Sequence, residues 1–149
     1  MTIRGTLDRH IDAEVAAGAT LVGEATMRYA LLMHYGEPGE GEISEEAVAV
    51  AKEAFGAYGR ALEAAGVLLA ADVLQPSAAT TTVTRREGGL LVQDGPFAET
   101  KEALAGIFLL EVPDVDAAIG WAEKCPGAQW GVLEVRQTAT AFVNGAWTG

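Results

Sequence analysis

From residue 28 to residue 35 the chain reads Arg-Tyr-Ala-Leu-Leu-Met-His-Tyr, a short apolar and aromatic run closed by Gly36, Pro38, Gly39 and Gly41. Such a run predicts a buried strand. Alternation puts Tyr29, Leu31, Met33 and Tyr35 on one face and Ala30, Leu32 and His34 on the other. The period then changes. Ser44 suits an N-cap, Glu45 and Glu46 follow where the helix dipole favours negative charge, and Ala47, Val48, Ala51, Phe55, Tyr58, Leu62 and Ala65 keep helical spacing. The helix should stop at Gly66, the residue type expected just past a helix end.

Residues 67–74 read as a core strand closed by Gln75-Pro76. The β-branched run 79–85, the turn Glu87-Gly88-Gly89 and the return 90–93 predict a hairpin. After Asp94-Gly95-Pro96-Phe97 the pattern predicts a short helical turn over residues 98–105 and a strand over 106–112, ended by Pro113. Asp114 caps a second helix with Val115, Ala118, Ile119 and Ala122 inward, which breaks at Cys125-Pro126 because the residue before proline disfavours helix. Residues 129–136 form the last strand.

In order this is β-α-β, an inserted hairpin, then β-α-β. Two split units of that kind make an α+β, ferredoxin-like βαββαβ sandwich, with both helices on one face of an antiparallel sheet. The strands carry adjacent apolar residues, Leu68-Leu69, Leu90-Leu91 and Phe108-Leu-Leu110, so the face without helices needs a cover. A second sheet from a partner copy is the economical one, and a homodimer is expected. Residues 1–26 have only a weak helical stripe through Leu7, Ile11 and Val15, and read as an extension dispensable for the fold. Residues 137–149 read as a C-terminal tail.

Composition narrows the function classes. In 149 residues, 10 Lys and Arg face 21 Asp and Glu, a net charge of −11. The basic residues are scattered, with only Arg85 and Arg86 adjacent, which disfavours nucleic-acid or anionic-membrane binding. Trp121, Trp130 and Trp147 are not interleaved with basic residues, so they make no base-stacking platform. One cysteine and two histidines leave no metal site of usual composition, and suit a reducing cytoplasm. No apolar window approaches the ~20 residues of a membrane span. No cofactor is implied.

The stretch Gln93-Asp-Gly-Pro-Phe-Ala-Glu-Thr-Lys-Glu102 resembles the signature of the DGPF group within the YCII-related proteins, small bacterial domains of the dimeric α/β-barrel superfamily. The likeness extends to Arg28-Tyr-Ala-Leu-Leu-Met33, Ala64-Ala-Gly-Val67, Leu74-Gln-Pro76, Ala79-Thr-Thr-Thr-Val83 and Glu134-Val-Arg136, so it covers residues 27–136, where family domains usually begin near Met27. It implies two sheets paired as a dimeric α/β barrel. It also implies a regulatory association, since such domains are often encoded beside extracytoplasmic-function sigma factors. Some relatives carry a suggested acid/base pair, a His on the first helix and an Asp before a Pro after the second. Here those stretches read Ala57-Tyr-Gly-Arg-Ala61 and Lys124-Cys-Pro126, and the pair is absent.

Asp94 is the first candidate for chemistry: a carboxylate at a sharp strand-end bend can serve as a general base if a cleft desolvates it. Asp before Gly-Pro also serves simply as a turn residue that hydrogen-bonds nearby N–H groups. His34, on the face shared with Ala30 and Leu32, could exchange a proton with Asp94 if their strands are neighbours, or could be a satisfied core or interface histidine. On the expected helical turn Glu99 and Glu102 share a face and, with Lys101, could contact a ligand or merely be solvated. Phe97 should anchor its loop in the core, and at a pocket mouth it could also line the site. Tyr58 could donate to a ligand, though its spacing fits packing. Cys125 stands at the wrong end of a helix for a stabilised thiolate. Two functions compete: a dimeric small-ligand-binding or regulatory module, which the missing pair favours, and a small-molecule enzyme using Asp94 with His34.

Overall fold

The structure is a computed structural model that describes residues 25–39 and 41–148. The proposed extension over residues 1–26 lies outside the described residues, apart from Ala25 and Thr26. Four strands form the main sheet: β1 (Met27–Tyr35), β2 (Leu68–Val73), β5 (Ala103–Val112) and β6 (Gly131–Gln137). They lie in the order β2-β5-β1-β6, and every neighbouring pair is antiparallel. Helices α1 (Glu45–Ala64) and α2 (Val115–Lys124) complete an α+β architecture compatible with a ferredoxin-like fold. Between β2 and β5 the chain makes a short 3-10 turn, Ser77–Ala79, and a separate ribbon of β3 (Thr81–Arg86) and β4 (Gly89–Asp94).

Local chemistry fixes the element ends. Ser44 Oγ accepts from Ala47 N and starts α1, and the Asp114 carboxylate accepts from Ala117 N and starts α2. At the other end of α1, Gly66 takes φ +72°, Gly66 N donates to Glu63 O, and Val67 N donates to Leu62 O. These two bonds form a Schellman motif, which turns the chain from helix into β2.

The core lies between the helices and one face of the main sheet. Leu31, Met33, Leu62, Leu110 and Val112 are fully buried there, with Tyr29, Tyr58, Phe108, Ala118 and Cys125 packed among them. The β1 alternation is as the sequence reads: Tyr29, Leu31 and Met33 point into the core, while Ala30, Leu32 and His34 are half-buried on the opposite face. Register places Leu109 beside Ala30, Ile107 beside Leu32 and Val132 beside His34, so those residues share that open face.

Three local expectations need correction. Residues 98–102 form bends, with no helical turn, and β5 begins at Ala103. Ala103 pairs with Tyr35 and Leu104 with His34, with Ala105 the extra residue of a bulge. Ladder pairing at that end therefore overrides the helix-forming composition of Ala-Glu-Thr-Lys-Glu-Ala. The last strand starts at Gly131, because Pro126 opens a 3-10 turn, Pro126–Gln129. The tail holds a small hairpin, β7 (Phe142–Val143) and β8 (Ala146–Trp147), turned by Asn144 and Gly145, both at positive φ.

Candidate functional site

The ribbon closes at Glu87 and Gly88, whose φ values of 40° and 80° suit a tight two-residue turn with the twist of the flanking strands. Its far end runs straight into the Asp-Gly-Pro-Phe loop. Gly95 takes φ +103°, its N–H donates to Thr80 O at 2.7 Å, and its carbonyl accepts from Thr82 Oγ1 at 2.7 Å. Backbone and a threonine hydroxyl thus hold this bend. The Asp94 carboxylate takes no hydrogen bond among the described residues and is exposed, so the turn does not consume it.

One face of the ribbon and this loop bound a half-open concavity of about 400 Å³. Thr82, Thr84 and Gln93 supply neutral hydrogen-bonding groups along its floor, Leu91 and Phe97 supply apolar surface, and Arg86 and Asp94 supply opposite charges. Phe97 is 88% exposed. It lines this concavity and does not anchor the loop in the core, which corrects the packing role read from the sequence. The body can offer it nothing, since neither helix nor any strand of the main sheet lies against the ribbon to a substantial extent.

The other candidates stand elsewhere. Glu99, Lys101 and Glu102 are exposed on the bends after the loop, where Thr100 Oγ1 donates to Glu102 O. Without a helical turn, Glu99 and Glu102 do not share a helix face. Tyr58 is buried and edge-on to Phe108 at 5.3 Å, and its hydroxyl donates to Trp121 O at 2.7 Å. Burial, and secondarily the nearby Cys125, pushes its phenol well above the ordinary range. Tyr58 also forms part of the floor of a shallow, alanine-lined groove between α1 and the Trp121 and Trp130 rings. Burial likewise raises the Cys125 thiol, against a smaller opposing effect of the Gly127 and Ala128 N–H groups. At neutral pH that sulfur is a protonated core group.

His34 and Asp94 lie on strands that are not neighbours: β4 pairs with β3, while β1 pairs with β5 and β6. The acid beside His34 is Glu134 of β6, whose Oε1 lies 2.7 Å from His34 Nε2. That nitrogen is shielded from solvent but off-line for an aligned hydrogen bond, so the contact is a close polar one. Glu134 Oε2 also meets Arg136 Nη2 at 3.5 Å. Sequence reasoning missed Glu134 and Arg86. Alternation carried a signal for Arg86, the one charged residue on a ribbon face otherwise occupied by Thr82, Thr84, Leu91 and Gln93, but none for Glu134, which shares its face of β6 with Arg136. Among the described residues no cluster of His, Cys, Asp or Glu could hold a metal ion, and no helix is long and apolar enough to cross a membrane.

The chain is similar to an uncharacterised protein of Rhizobium meliloti (strain 1021), with 34% identity over 115 residues that span 76% of this chain and 93% of that one. The match to the YCII-related domain covers residues 27–140, from the first residue of β1 to just beyond the last strand of the main sheet, and the chain belongs to the YCII-related domain family.

Proposed function

We propose that the protein is a dimeric small-ligand-binding or regulatory module of the cytoplasm, with its ligand seated in the concavity between the ribbon and the Asp-Gly-Pro-Phe loop. One observation carries this reading: Asp94, Phe97 and Arg86 meet in a single concavity, with neither charge engaged by another described residue. A concave site with a few polar groups and an apolar wall suits a small organic molecule. Acid/base catalysis by Asp94 with His34 has less support, because Asp94 is exposed and His34 stands on a strand that β4 does not adjoin.

The dimer would pack the open face of one main sheet on that of another, covering Ala30, Leu32, Ile107 and Leu109, and completing a dimeric barrel. The regulatory form of the reading is an association with an extracytoplasmic-function sigma factor, which co-purification would test. Residues 27–136 constitute the working domain, so a chain lacking residues 1–26 should fold and bind as the full chain does. The central test compares wild type with Asp94→Asn and Asp94→Ala, measuring thermal stability and binding of a small-molecule library. Binding lost in both variants at unchanged melting temperature supports the site. Asn behaving like wild type, with Ala merely less stable, would reduce Asp94 to a turn residue.

A further inference from the structure

The β3–β4 ribbon carries apolar side chains on both faces and has no surface of its own to lay them on. Register puts Val83, Leu90 and Val92 with Arg85 on one face, and Leu91 with Thr82, Thr84, Arg86 and Gln93 on the other. Phe97 stands at the end of the second face. All five of these large apolar residues are more than half exposed. A two-stranded ribbon is at best marginal in water alone, and contiguous apolar surface of this kind marks a contact site. Its root, by contrast, is held to the body: Ser77 N, just before β3, donates to Glu37 Oε2 at 2.8 Å in the loop after β1. The body therefore aims the ribbon and leaves its length unsupported.

We propose that the ribbon is an arm that lies on a second copy of this chain, and that the second copy closes the concavity between Arg86 and Phe97. This rests on the dimeric reading above and adds a distinct contact to it. Charge selects the occupant. Two chains of net charge −11 repel across most of their surfaces, so contact is favoured where the sign reverses. The ribbon carries the sole adjacent pair of cations in the sequence, Arg85 and Arg86, and neither is in an ion pair among the described residues. Asp72, Glu111 and Glu134 are exposed on the open-face side of the main sheet, where Arg28 and Arg136 also stand. Glu134 already meets His34 and Arg136. It is Asp72, on the edge strand from which the ribbon leaves and in no ion pair among the described residues, that offers a second copy's arm the opposite charge. Position agrees, because the ribbon leaves from β2 at the sheet edge and returns into β5, so the arm is continuous with the rim of the open face.

Size points the same way. A standard interface buries roughly 800 Å² on each partner. The open face offers Leu32, Ile107, Leu109 and Val132 beside Ala30, and the arm adds Val83, Leu90, Leu91, Val92 and Phe97 to the apolar surface available to the contact.

The test uses the full chain in sedimentation velocity over a concentration series, with amide hydrogen exchange above and below the dissociation midpoint. The ribbon variant Val83→Ser/Leu90→Ser/Val92→Ser changes only exposed side chains, and Leu32→Asp places a charge on the open face; circular dichroism melts verify that both fold. The proposal expects the ribbon variant to dissociate at tenfold or more higher concentration than wild type. It also expects the amides of the ribbon and of Phe97 to be protected in the dimer and to lose protection on dilution. A dimer whose ribbon amides exchange freely, or a ribbon variant that associates like wild type, overturns the arm. If Leu32→Asp still breaks that dimer, the sheet-to-sheet reading survives by itself. Protection of the ribbon without Phe97 overturns closure of the concavity. A wild type that stays monomeric throughout removes both readings and leaves the arm to a partner of different sequence.

Discussion

The body and the ribbon of this chain are built from similar residues and meet opposite fates. In the body, Leu31, Met33, Leu110 and Val112 alternate with half-exposed neighbours and disappear beneath two helices. In the ribbon, Val83, Leu90, Leu91 and Val92 sit in equally regular strands, with every ladder pair in register, and remain in water. Strand formation is thus a local matter of β-branched residues and a tight turn, whereas burial depends on what the topology brings alongside. Because the body is complete without the ribbon, changes in the two regions should differ sharply in cost.

The largest effect is expected at the joint between β1 and β6. A methyl group added at Gly131 would overlap the His34 carbonyl oxygen, which is backbone and cannot turn aside. Gly131→Ala should therefore cost about 3 kcal/mol or more in urea denaturation; a loss below about 1 kcal/mol would mean that β6 shifts freely along β1.

Next comes the contrast itself. Leu62→Ala empties a fully buried position, for an expected loss of about 2–5 kcal/mol. Val92→Ser, measured at concentrations too low for association, should change stability by less than about 0.5 kcal/mol. Equal losses from the two would break the distinction between body and ribbon.

Tyr58→Phe keeps the ring against Phe108 but strands the Trp121 carbonyl, at a cost of about 1 kcal/mol. Double-mutant cycles with a ribbon substitution should show no coupling to it.

The smallest effect concerns the root of the ribbon. Hydrogen bonds from Ser77, side chain first and backbone second, hold the Glu37 carboxyl below its ordinary value of 4.5. A depressed folded-state value means that the tether is fully present above the unfolded value and is lost as the pH falls through the folded one. Exchange of the Ser77 amide should accordingly quicken, relative to its intrinsic rate, between pH 5 and the acid limb. Glu37→Gln should flatten that response; an identical pH profile in the variant would show that the contact carries no charge dependence.

How far the sequence anticipates this arrangement varies with the range of the forces involved. Ser44, Gly66 and Asp114 mark helix ends through bonds made within a few residues, and alternation on β1 needs nothing beyond the strand itself. Residues 98–105 mislead because their composition suits a helix, whereas ladder partners from β1, some seventy residues earlier, draw Ala103 and Leu104 into β5. Asn144-Gly145 carried a legible hairpin signal inside what read as a C-terminal tail. The candidate site was half legible. Asp94 and Phe97 stand together as a motif, but the separation of Asp94 from His34, and the approach of Glu134 to His34, follow from strand order, which no spacing encodes.

One consequence follows from the pairing of Val73 with Gly106. These residues are direct partners across an antiparallel ladder, so their Cα atoms lie about 5 Å apart, although 32 residues of chain run between them. The ribbon and its flanking loops are thus a detour inside what is otherwise a two-strand connection. A deletion that rejoined β2 to β5 through a tight turn would leave the main sheet order unchanged, and would shorten the longest excursion between two adjacent strands of consecutive rank. Closing a long loop costs more than closing a short one by only about 0.6 kcal/mol per doubling, but the long route must be searched before the edge strand can dock. The detour should therefore appear in the folding rate more than in the stability, so that the ribbon would also set the pace at which the sheet's edge closes.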